Sequence, residues 1–164
     1  MMGVTRNRCH RVLPFCYFDL RVPAEALNAF ILRKKGMTEQ PKTLGEHLRN
    51  RRLVLGLRQE DVAERLGTMR EVYERWERDE REPVVSVWPL VLAFLGYYPG
   101  PQESFADMTL MARRTLGLEQ KKLAEQVGVI HQRLRRWEHG AETPSPPELA
   151  RLKGLLAEPM RAAG

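Results

Sequence analysis

The side chains able to do covalent chemistry are few: two cysteines (Cys9 and Cys16), four histidines, and three serines at 86, 104 and 145. The Cys9–Cys16 spacing is not that of a zinc knuckle, and His10 and His47 do not form a matching pair. Free thiols, no metal and no cofactor are therefore expected. The chain lacks a P-loop, a Gly-rich dinucleotide loop, an HExxH pair and a Gly-x-Ser-x-Gly elbow, so an enzyme is not expected. What recurs is chemistry that holds rather than reacts. Gln59 and Gln120 share one register, as do Arg52 and Arg113, and residues 131–136 read His-Gln-Arg-Leu-Arg-Arg. Amide and guanidinium groups offer directional donors and acceptors, which suits them to recognition.

These residues sit in a duplicated frame. "GLRQEDVAERLG" (56–67) returns as "GLEQKKLAEQVG" (117–128), an offset of 61. The match continues on both sides without a gap. Thr43 and Glu46 pair with Ser104 and Asp107, Ala63 with Ala124, "ERWE" (74–77) with "RRWE" (135–138), and Pro83 with Pro144. Such self-similarity marks two copies of one structural unit.

The constant letters have physical duties. A hydroxyl residue followed three positions later by an acid starts a helix in each copy, at Thr43 and at Ser104. Gly56 and Gly117 stop that helix. Leu57, Val62 and Leu66, like Leu118, Leu123 and Val127, then recur at helical spacing. Gly67 and Gly128 permit the positive φ of a sharp turn into a third helix. That helix should bury Tyr73 and Trp76, or Leu134 and Trp137, as core. A closing helix follows, with Leu90, Val91, Phe94 and Leu95 on one side in the first copy. In the second, Ser145, Pro146 and Glu148 start it, and Leu149, Leu152 and Leu156 form its stripe. No strand pattern competes, so the fold class is all-α.

The pattern of Arg, Gln, Val-Ala, Gly and Trp-Glu, present twice, resembles the Cro/phage-repressor (Xre-type) helix-turn-helix domain. The resemblance implies two tandem five-helix-type, lambda-repressor-like bundles at 43–97 and 104–157. It also implies a sequence-specific DNA-binding transcriptional regulator with double-stranded DNA as partner. In that frame the third helix reads base edges through Arg70, Glu71 and Arg75 in copy one and His131, Gln132 and Arg136 in copy two. Arg52, Gln59, Arg113 and Gln120 are implied to touch phosphate, and Arg133 and Arg135 are further candidates for it. Gln suits adenine and Arg suits guanine in the major groove. Two departures stand out. Met69 and Ile130 occupy the places where the family has Ser, Thr or Asp, and Arg58 and Glu119 stand where it has a small hydroxyl residue.

A second reading of Arg52 and Arg113 is a surface ion pair with Glu64 or Glu125. Copy two reads as the better DNA binder, because residues 68–82 of copy one hold six acids against four arginines. The alternative function is an adaptor or antitoxin-like protein whose acidic first unit binds a protein while the second binds DNA.

The formal charge of +6 lies largely in residues 1–43, with eight basic residues against three acidic. Residues 1–42 form a basic arm with Pro14, Pro23, Gly36 and Pro41 and one possible short helix over 24–35. It either trails along phosphates or has no task. Residues 98–103 are a linker and 158–164 a tail. With no apolar run of membrane length and no secretory pattern, a cytoplasmic, nucleoid-associated protein is expected. Two unlike readers on one chain imply a monomeric pseudo-dimer, or a weak homodimer, on an asymmetric site.

Overall fold

The computed structural model describes residues 36–162, with side chains to 157. Cys9, Cys16, His10 and the helix expected over 24–35 lie outside these residues. Within them the chain is all-helical. The first unit contains α1 (Leu44–Leu55), α2 (Gln59–Arg65), α3 (Arg70–Glu77), a single 3-10 turn (Val85–Val87) and α4 (Trp88–Leu95). The second contains α5 (Phe105–Leu116), α6 (Gln120–Val127), α7 (His131–Glu138) and α8 (Pro146–Ala162). The last helix thus runs beyond residue 157, where the second unit was expected to close.

The start signals act as their letters require. Thr43 accepts from the Glu46 N–H while the Glu46 carboxylate accepts from the Thr43 N–H, a reciprocal cap; Ser104 and Asp107 repeat it. At α8 the Glu148 carboxylate accepts from the Ser145 N–H at 2.7 Å. Gly67 and Gly128 take φ values of +63° and +77° in the turn before the third helix, a backbone region costly for any residue with a Cβ.

Each unit closes on its own core. In the first, Leu48, Val62, Ala63, Leu66, Tyr73, Trp76, Trp88, Val91 and Leu95 are buried together. In the second the set is Ala112, Leu123, Ala124, Val127, Leu134, Trp137 and Leu152. Trp76 and Trp137 are core residues, as expected. Their indole N–H groups have no acceptor among the described residues, a cost offset by the large apolar area each ring buries. One expectation is corrected. Leu90 is 48% exposed, and Trp88 takes the inward place on α4 instead. Residues 88, 91 and 95 are one helical turn apart, whereas Leu90 falls outside that stripe.

The two units touch. The Arg114 guanidinium on α5 lies 4.0 Å above the Trp88 ring. It also bonds Glu82 at 2.9 Å and the Tyr98 hydroxyl at 3.4 Å, all three partners coming from the first unit or the segment leaving it. Pro89 packs against Gly117 at the end of α5, where an added Cβ would lie 2.9 Å from the Pro89 ring. The linker therefore joins two docked bodies.

Candidate nucleic-acid interface

In both units a short helix, a glycine turn and a second short helix are held by one repeated polar network. Arg52 on α1 donates through Nε and Nη2 to the two oxygens of Glu77, at 2.5 and 2.9 Å. Gln59, the first residue of α2, donates its amide to the same carboxylate at 3.0 Å. The second unit repeats this with Arg113, Gln120 and Glu138. The glutamate of each Trp-Glu pair thus ties all three helices together.

The Arg52 and Glu77 side chains are only 13% and 4% exposed, and Arg113 and Glu138 only 20% and 7%. The surface pairing of Arg52 and Arg113 with Glu64 and Glu125 is accordingly corrected. The partners are Glu77 and Glu138, one turn beyond the buried Tyr73 and Leu134 positions on the third helix. Sequence reasoning had the Trp-Glu letters but gave the glutamates no task. The signal was present, since Arg, Gln and Glu recur together at the same offset. Burial pushes the Glu77 carboxyl up, but hydrogen bonds from Arg52 and Gln59 outweigh it and hold the group below its ordinary value.

The outward faces of the third helices differ. On α7, Leu134 and Trp137 are fully buried, and His131, Gln132, Arg135 and Arg136 are exposed on the other side. The His131 ring nitrogen Nε2 meets the Gln120 side-chain oxygen at 3.2 Å, which joins the start of α7 to the start of α6. Exposed Lys121 and Lys122 lie beside that joint. Arg135 is in no ion pair among the described residues, and Arg136 has only a loose one, 3.8 Å from Glu142. Arg133 is the exception on this helix, since it is engaged by both Glu142 and Glu148.

On α3 the corresponding Arg70, Glu71 and Arg75 are exposed. Here Arg70 is drawn to Glu60 at 3.4 Å, and Arg78 lies between Glu74 and Glu80 at 3.6 and 3.2 Å. Residues 56–79 carry five basic and seven acidic side chains, residues 117–140 five and three. The structure therefore gathers His131, Gln132, Arg135 and Arg136 on one exposed, arginine-bearing ridge. It gathers Arg70, Glu71 and Arg75 on a ridge of mixed charge, where Arg70 is paired with Glu60 and Arg75 has no ion-pair partner among the described residues. Arg52, Arg113, Gln59 and Gln120 stand behind these ridges.

Among the described residues no cluster of His, Cys, Asp or Glu is arranged to hold a metal ion, and no helix is long and apolar enough to cross a membrane.

A paired helix with a sharp turn, repeated in one chain and presenting a polar third helix, defines a tandem helix-turn-helix protein. The helix-turn-helix family model matches residues 48–100 and again 110–159. The chain belongs to that family, of Cro/C1 type, with two units. Comparison with curated proteins gave no match, nor did comparison with solved structures. Membership in the family carries DNA binding as the general class of activity.

Proposed function

We propose that the chain is a sequence-specific DNA-binding transcriptional regulator whose second unit is the principal reader. The observation that carries this reading is the α7 ridge. His131, Gln132 and Arg136 are exposed together on a helix whose opposite side is locked into the core by Leu134 and Trp137. An amide and a guanidinium on such a ridge match the edges of adenine and guanine in the major groove. Arg135 and the neighbouring Lys121 and Lys122 supply phosphate contacts. Gln59 and Gln120 lie at helix starts beside the groove-facing residues, where their unused amide hydrogens suit phosphate. Arg52, Arg113 and Arg133 act through position, because their guanidinium groups are held by carboxylates of the same unit. In the first unit Arg70, Glu71 and Arg75 read more weakly.

One observation favours a second reading, in which the first unit meets a protein: its acidic excess, with Arg70 and Arg78 drawn to acids of the same unit. Selection of bound duplexes from a random pool by the full chain separates the two. A single asymmetric motif with two half-sites supports the first reading. A motif spanning one half-site, unaffected by Arg70→Ala and Arg75→Ala, supports the second. Recovery of no motif overturns both.

A further inference from the structure

The two side chains that replace the usual capping residue of the third helix are among the most exposed large apolar groups of the described residues. Met69 is 68% and Ile130 69% exposed. Both occupy the extended residue immediately before the helix, and neither side chain makes a capping hydrogen bond. A Ser, Thr or Asp at that place would satisfy an orphan N–H and stabilise the helix. Both units forgo that gain and place bare hydrocarbon in water instead, at the same register, next to Arg70 and Glu71 in one and His131 and Gln132 in the other.

The surroundings select the occupant. Ile130 directly precedes exposed His131 and Gln132 at the start of α7, with exposed Arg135 and Arg136 one turn further along, and the Gln120–His131 contact links this start to that of α6, where Lys121 and Lys122 are exposed. A cationic, hydrogen-bonding ridge with one apolar point at its tip calls for a polyanion that carries an apolar group within its polar edge. The major groove of DNA has such a group in the 5-methyl of thymine.

We propose that Ile130, and Met69 at the equivalent place in the first unit, are specificity-determining residues that recognise a thymine methyl at the end of each half-site. This rests on the DNA-binding reading above and refines it. The polar ridge alone would select bases by hydrogen bonding. The apolar tip adds a preference for thymine over bases that lack the methyl.

The test uses the full chain and the duplex it selects. Thymines are replaced one at a time by deoxyuridine, which removes only the methyl, and affinity is followed by fluorescence anisotropy. The expected result is one position in each half-site where the loss weakens binding about fourfold, the equivalent of one buried carbon at ~0.8 kcal/mol. Ile130→Ser should abolish that effect in the second unit's half-site, and Met69→Ser in the first's. Because serine is a good cap, both variants should melt at or above the wild-type temperature, so folding does not obscure the readout.

The proposal is overturned if no thymine position responds, if the response persists in both serine variants, or if those variants melt well below wild type, which would make the side chains packing groups. Failure to retain any duplex would remove the DNA-binding reading itself, an outcome distinct from binding that ignores the methyl.

Discussion

At the scale of single residues, the decisive group is the glutamate after each tryptophan. Glu77 is nearly buried and holds both Arg52 and Gln59, so Glu77→Gln leaves Arg52 charged and deprived of its counter-ion. Breaking a buried pair in this way costs about 3–5 kcal/mol. Urea unfolding at pH 7 should show a loss of that order. The loss should depend on pH. The folded carboxyl sits below its ordinary 4.5, so its contribution is fully present above that value and disappears as pH falls through the lower folded one. Wild type and Glu77→Gln should therefore converge in strongly acidic buffer, and a constant gap would contradict the assignment. On the outward side, Arg136→Ala should cost about 1–3 kcal/mol of binding and relax preference at one base pair. A uniform loss across sequences would make Arg136 a phosphate contact instead.

At the scale of helices, the repeat was legible because periodicity, caps and glycine turns are local signals, and each reads the same way twice. The partner of Arg52 was less legible. It lies 25 residues away, and spacing along one chain does not say which acid a folded arginine will reach. The units also solve one packing problem differently. In the first, α1 approaches the end of α3 so closely that a Cβ on Gly45 would stand 2.5 Å from the Trp76 carbonyl oxygen. Asp79, at φ +56°, then accepts from the Gly45 N–H at 2.9 Å and from the Thr43 hydroxyl. In the second unit the corresponding residues are Ala106 and Gly140, so the close approach is relaxed and the positive φ of +68° falls on glycine. Gly45→Ala should therefore destabilise the first unit by about 1–3 kcal/mol through overpacking. Ala106→Gly should cost the second about 1 kcal/mol or less, the usual price of glycine in a helix. Thermal melts of the two variants would compare them, and equal losses would contradict the distinction.

At the scale of the whole molecule, two helix-turn-helix units are docked rather than strung together. Arg114 does this through Trp88, Glu82 and Tyr98. Its counterpart in the first unit is Leu53, so the repeat itself gave no hint of the junction. On the proposed reading, in which both units contact DNA, this junction sets the separation of α3 and α7, and base pairs inserted between the half-sites should weaken wild-type binding sharply. Arg114→Ala should tolerate them better, as measured on a series of spacers. Loss of affinity by the same factor in both proteins would mean that the junction does not set spacing.

Entry of the exposed α7 ridge into double-stranded DNA can be checked by anisotropy titration of the selected duplex with wild type and with a Gln132→Ala, Arg136→Ala double variant over a range of salt. The predicted result is saturable binding whose logarithm falls linearly with log salt, by about 0.9 per phosphate neutralised, together with loss of sequence preference in the variant while its fold is retained. Absence of binding in dilute buffer, or an unchanged preference in the double variant, would contradict it.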